Sequence, residues 1–344
     1  MRVAVFGYQS WGHRTLSAVI NAGHEVVLVV THPASDHPYE QMWADSVEEL
    51  ASEHELQVCV TERVGQDVIE ALRDAAPDII VANNWRTWLP PEVFSLAKHG
   101  ALNVHDGLLP EYAGFSPILW ALLNWETHVG VTVHEMDEVL DGGPIVAQRA
   151  IPVGPQDTTT DLVAKTIDLI EPLVERALSD VAQGTATAQP QDPTRATYFH
   201  KRGEQESRID FTQPAEDIAL LVRAQSDPYP NAYFEFRGQR VRVLSAHVSQ
   251  GRFGGTPGRV TIPHEGGIAV VCGSPRANVP APAIVLDRVR LDDNSELTAT
   301  EFFGHRAGYT NQRFDLSLLC TGHASRGNPS PVTTEKNDTQ EDSR

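Results

Sequence analysis

Asn103 and His105 stand two apart at the end of the apolar run 101–105, and Asp141 follows 36 residues after the histidine, inside Leu140-Asp141-Gly142-Gly143-Pro144. On a strand, residues two apart project to the same face, so the amide and the imidazole share one side. An amide donor, a titratable ring and a carboxylate suit attack on a carbonyl. The amide stabilises a developing oxyanion, the imidazole moves or holds a proton, and the carboxylate orients and charges the imidazole. A strand-end histidine alone is usually structural, Asn103 alone reads as a turn residue, and Asp141 before two glycines also reads as a β-turn. The roles coexist, because a glycine-rich turn can present a carboxylate.

The elements that must position these groups alternate along the first half of the chain. Strand signals fall at residues 3–8, 26–30, 57–61, 78–82 and 101–105, and helix signals at 11–22, 46–54 and 67–75. Ser46 with Glu49 three residues on reads as a capping box. This βαβα order predicts an α/β fold, a mostly parallel sheet covered on both faces, with ligands beyond the carboxyl ends of the strands. Residues 130–135 and 144–153 read as two further strands bracketing Asp141. Residues 161–181 read as one long amphipathic helix. The Thr, Gln, Pro and Ala-rich stretch 184–197 reads as a linker, dividing a catalytic domain (1–183) from a second domain (198–320) and a polar, disordered tail (321–344).

Bulk properties exclude several classes. The chain carries a net charge of −19, and residues 1–190 hold 9 Lys+Arg against 27 Asp+Glu, whereas 191–320 hold 15 of each. A nucleic-acid reader needs a basic face, which neither half supplies, so no nucleic-acid partner is expected. An acidic half favours cationic small substrates. No window approaches a membrane span, and the strand-like start at residues 1–7 argues against a signal peptide. Cys59, Cys272 and Cys320 are too dispersed for a zinc pattern and suit a reducing cytoplasm. His32 and His37, with Tyr39, lie in a Pro-rich loop without ligand geometry, so no metal is expected. The turn Gly7-Tyr8-Gln9-Ser10-Trp11-Gly12 lacks both dinucleotide and P-loop spacing.

The block 103–144, with Leu108-Leu109-Pro110, Tyr112-Ala113-Gly114, Ser116-Pro117, Trp120 and Gly130-Val131-Thr132 in order, resembles the catalytic core of the formyltransferases that use 10-formyltetrahydrofolate. That resemblance implies a Rossmann-like domain and makes Asn103, His105 and Asp141 the catalytic residues. It implies a pteridine wrapped by Trp85, Arg86, Thr87, Trp88 and Leu89 on one side and by Met136, Asp137, Glu138, Val139 and Leu140 on the other. Tyr8 and Gln9 would border the acceptor pocket. Lys201-Arg202, Arg208-Ile209-Asp210-Phe211 and Asp227-Pro228-Tyr229-Pro230-Asn231-Ala232 resemble the opening of the family's C-terminal domain, a small OB-like β-barrel. Strands expected at 232–236, 241–246, 258–261, 267–271 and 284–289 fit it.

The wording from Val81 to Trp88 and from Asn103 to Pro110 looks most like the hydroxyornithine formyltransferases of siderophore assembly. That implies a small-molecule amine, N5-hydroxyornithine, as acceptor, with a deoxyamino-sugar nucleotide or methionyl-tRNA as alternatives. Thr31 to Leu50 contains no Lys or Arg, which opposes tRNA recognition. One departure is Gly107, where the family usually has serine before Leu-Leu-Pro; its missing hydroxyl removes none of the three catalytic groups.

Overall fold

The computed structural model describes residues 1–35, 41–274 and 279–306; His37, Tyr39, residues 307–320 and the tail 321–344 lie outside the described residues. The first half runs β1 (Arg2–Gly7), α1 (Gln9–Asn21), β2 (Glu25–Thr31), α2 (Val47–Glu53), β3 (Val58–Val60), α3 (Gln66–Ala75), β4 (Ile79–Asn83), α4 (Pro91–Phe94) and β5 (Ala101–His105). It continues through β6 (Ala113–Gly114), α5 (Pro117–Leu123), β7 (His128–Glu135), β8 (Ile145–Pro152), α6 (Thr159–Ile167) and α7 (Ile170–Gln183). Seven strands form one sheet in the order β3-β2-β1-β4-β5-β7-β8. The first five pair in parallel, and β7 and β8 are antiparallel.

The strand period decides which side chain goes where. Val3 and Val5 enter one core with Leu16, Leu162 and Leu173, while Ala4 and Phe6 enter the opposite core with Val68 and Leu72. On β5, Leu102 and Val104 belong to the first core and Ala101 to the second. Alternation therefore puts Asn103 and His105 on the side of Ala101, at the carboxyl end of the strand.

One expectation needs correction. The helix expected over 161–181 is two helices, α6 and α7, broken at Asp168 and Leu169. Pro172 explains the break: inside a continuous helix its ring would collide with the Asp168 carbonyl and leave it without a donor. After the break, Pro172 falls harmlessly in the first turn of α7. The stretch 184–197, read as a linker, also bonds to the first half. Gln189 and Ile145 exchange both backbone hydrogen bonds at 2.8 Å, and the Ala113 amide donates to the Thr197 carbonyl at 2.9 Å. By residues Tyr198–Phe199 the chain pairs as β9 with β6.

The second half contains a 3₁₀ turn (Glu204–Ser207), α8 (Ala215–Ala224), β10 (Tyr233–Phe236), β11 (Gln239–Phe253), β12 (Val260–His264), β13 (Gly267–Val270), β14 (Ala281–Leu291), β15 (Glu296–Thr298) and α9 (Ala299–Arg306). Its strands form an antiparallel sheet along the open path β10-β11-β14-β13-β12, with β15 on β14. A separate apolar core joins the sheet to α8 and α9 through Ile218, Val222, Phe234, Phe236, Phe302 and Phe303. The two halves meet through apolar and polar contacts: Leu220 and Ala224 of α8 join the first half's core, the Thr159 and Thr160 hydroxyls donate to the Ala224 and Asp227 carbonyls, and Trp125 donates to Asp217. No described helix is long and apolar enough to cross a membrane.

Candidate active site

Asn103, His105 and Asp141 converge. Asn103 Nδ2 lies 3.4 Å from Asp141 Oδ1, and His105 Nδ1 lies 3.7 Å from Asp141 Oδ2. Both side chains of that ion pair are nearly sealed, at 6% and 9% exposed. The Gly114 amide donates to Asp141 Oδ2 at 2.9 Å. Burial by itself pushes the Asp141 carboxyl up, but the neighbouring positive charge of His105, the His134 ring and the Gly114 amide outweigh it and hold the group at about 2. Asp141 is therefore an anion at any working pH.

The His105 ring is fixed from its other side. Nε2 sits 2.8 Å from the Tyr112 carbonyl. A carbonyl only accepts, so Nε2 carries the hydrogen and Nδ1 is left facing Asp141. Gly107 makes this ring position available: a Cβ there would stand 2.7 Å from His105 Nε2 and 3.0 Å from Pro117 Cβ. The loop beyond β5 is held by Thr132, whose hydroxyl donates to the Gly107 carbonyl at 2.6 Å and accepts from the Leu109 amide.

His134 is a fourth member that the sequence reading missed. It faces Asn103 across the β5–β7 pairing. Its Nε2 is 3.1 Å from Asn103 Nδ2 and 3.6 Å from Asp141 Oδ1, and its Nδ1 meets the Glu135 carbonyl at 2.8 Å. Nδ1 carries a hydrogen toward that carbonyl, and Nε2 lies between the Asn103 amide and Asp141. The available signal was the alternation Val131-Thr132-Val133-His134, which puts Thr132 and His134 on one face.

A cavity of about 130 Å³ opens beside these groups. Trp85, Thr87, Trp88, Leu89, Met136, Asp137, Val139 and Leu140 line it, together with Asn103, His134 and Asp141 at its polar end. Ala82 and Phe94 also line it and were not expected. The Trp85 indole N–H has no hydrogen-bond partner among the described residues. Arg86 and Glu138 are not among the lining residues. Arg86 instead lies over the Tyr8 ring, 4.8 Å from its centroid, and donates to Gln9 Oε1 at 2.9 Å. Tyr8 and Gln9 are buried at the end of β1, beside the β1–β4 boundary where the strand order reverses. Such a boundary is the usual crevice of an open α/β sheet. Gln9 holds φ = 52° there, a left-handed conformation rare for a side-chain-bearing residue. Among the described residues, no group of three or more His, Cys, Asp or Glu side chains is placed to hold a metal.

Residues 1–178 match the formyl transferase family, and residues 202–306 match the formyl transferase C-terminal domain. The chain belongs to the formyl transferase family. Solved structures agree with this fold. HypX from Aquifex aeolicus, in complex with tetrahydrofolic acid, is 20% identical with a TM-score of 0.56, over 91% of this chain and 48% of that one. This formyl transferase therefore spans about half the length of the HypX chains it matches. The sugar 3N-formyl transferase WlaRD, in the presence of dTDP and 5-N-formyl-THF, is 17% identical with a TM-score of 0.61, over 83% of this chain and 97% of that one. An N-formyltransferase from Helicobacter canadensis, in complex with folinic acid and dTDP-3-aminofucose, gives 17% and 0.61, over 83% and 98%.

Proposed function

We propose that this protein transfers the formyl group of 10-formyltetrahydrofolate to a small amine, N5-hydroxyornithine, forming a hydroxamate. One observation carries the reading: an amide donor and an ionised carboxylate open on the polar end of a cavity walled by two tryptophans, and the buried His105 imidazole stands against the far oxygen of that carboxylate. The cavity suits a flat heterocycle with a few polar partners. Bound there, the folate supplies an electrophilic formyl carbon whose oxygen becomes negative as nitrogen attacks.

Asn103 is the donor for that oxygen. Its contact to Asp141, at 3.4 Å, is weak enough to exchange for a stronger charge-assisted bond. His105 works through Nδ1, because Nε2 is committed to the Tyr112 carbonyl. Nδ1 faces Asp141 Oδ2, 3.7 Å away. Asp141 at about 2 is a weak base, so its main part is charge and orientation. The nitrogen becomes acidic once it has bonded to carbon, and a weak base then suffices to take its proton; collapse of the oxyanion would break the bond between the formyl carbon and the folate nitrogen, which takes up a proton and leaves as tetrahydrofolate.

The acidity of the first half supports an acceptor bearing an ammonium group and opposes tRNA. The hydroxamate product is a bidentate, hard-oxygen iron ligand, consistent with siderophore assembly. Purified protein given 10-formyltetrahydrofolate should formylate N5-hydroxyornithine with a kcat/KM about 10²-fold above a dTDP-amino sugar. Mass spectrometry of the products decides it. A formylated sugar nucleotide with untouched hydroxyornithine would replace the acceptor, and formylated methionyl-tRNA would overturn the small-molecule reading.

A further inference from the structure

We propose that Gln191 is a positioning residue for Asp141, and that the segment joining the two halves is a working part of the reacting centre. This rests on Asp141 belonging to that centre, as above. Gln191 Nε2 donates to the Asp141 carbonyl at 2.7 Å and to the Gly143 carbonyl at 2.6 Å. One amide group thus spans the turn that presents the carboxylate.

That turn needs holding. Asp141 sits at φ = 52°, a left-handed conformation that a residue with a side chain keeps only where surrounding contacts impose it. On its other side the turn is pressed against β7, since a Cβ on Gly143 would fall 1.9 Å from the Glu135 carbonyl oxygen. Gln191 closes the remaining side. The Gln189–Ile145 backbone pair, two residues away, sets where its side chain starts.

The same segment also reaches the carboxylate oxygen. Gly114, whose amide donates to Asp141 Oδ2, is placed by pairing with Phe199, and the Phe115 amide donates to the Phe199 carbonyl at 3.0 Å. A Cβ on Gly114, at φ = 94°, would lie 2.4 Å from that carbonyl oxygen. The backbone of Asp141 is therefore held by one end of the segment, and its side chain is held indirectly by the other.

The test uses the full chain carrying Gln191→Met, which keeps length and apolar bulk without a donor, and Gln191→Glu, which sets an acceptor against two carbonyls. For formyl transfer to N5-hydroxyornithine, Gln191→Met should lower kcat about 10- to 100-fold while both KM values stay within about threefold. Gln191→Glu should lose more, because it leaves two acceptors facing a third. In ligand-free protein, hydrogen exchange should accelerate in peptides covering 139–146 and 112–116 and stay unchanged in the C-terminal sheet. Wild-type kcat with wild-type protection of 139–146 in both variants would overturn the inference. His105→Ala, run in parallel, separates the two levels: if it alone is inactive the centre stands and Gln191 fails, and if it too is fully active the centre itself was misassigned.

Discussion

The centre and its rim are built by opposite rules. Asn103, His105, His134 and Asp141 are braced by one another, by the Tyr112 and Glu135 carbonyls and by the Gly114 amide. A few residues away, Trp88, Val139 and Leu140 stand 58%, 53% and 47% exposed on the lip of the cavity. In the proposed reaction, polar groups that act on developing charge are fixed in advance, so no reorganisation is needed as charge appears. Apolar groups that only bind are left uncovered, ready to gain from burial when a ligand arrives. The difference predicts that substitutions inside change the rate, and substitutions at the lip change affinity.

The largest effect belongs to the centre. His105→Ala and Asn103→Ala should each lower kcat by about 10² to 10⁴-fold, with KM for the folate nearly unchanged. Steady-state kinetics with saturating acceptor measures this. Wild-type-like turnover in both variants would remove the role assignment altogether.

A subtler break probes how tightly the ring is held. Gly107→Ala adds one carbon where His105 Nε2 already lies 2.7 Å away, so the ring must leave the Tyr112 carbonyl or the loop must shift. A displacement near 1 Å should cost about 10²-fold in kcat, again with little change in KM. ¹⁵N spectra of the histidine rings give a second readout, in which the Nε2–H form of His105 loses population. An unchanged spectrum with unchanged kcat would mean that the ring position is not what limits turnover.

How much of this was legible follows from the range of each interaction. The strand period alone placed Asn103 and His105 together, because it is a property of the backbone of residues 101–105. The aspartate needed the family resemblance, since nothing local says that a turn 36 residues away closes over the strand. His134 escaped notice because a histidine in an alternating strand has no local mark; only the β5–β7 register pairs it with Asn103. Pro172 did carry a local signal, and the break between α6 and α7 follows from it once the Asp168 carbonyl is considered. Residues 184–197 have the composition of a tether, and composition cannot report that Gln191 meets two carbonyls some fifty positions earlier. In the second half, β11 runs to Phe253, well beyond the expected 246, because pairing with β14 carries it through polar residues.

The lip gives the smallest and most diagnostic effect. Trp88 is the most exposed of the large apolar side chains lining the cavity, and no hydrogen bond ties it to Asn103, His105 or Asp141. Covering one face of an indole is worth about 1–2 kcal/mol, so Trp88→Ala should raise the folate dissociation constant about tenfold. Quenching of protein fluorescence by tetrahydrofolate measures that constant without turnover. Because the loss falls equally on ground and transition states, kcat at saturating folate should stay within about twofold. The opposite pattern, a depressed kcat with intact affinity, would place Trp88 among the groups that organise the reacting atoms, and the division between a braced centre and an open rim would have to be drawn elsewhere.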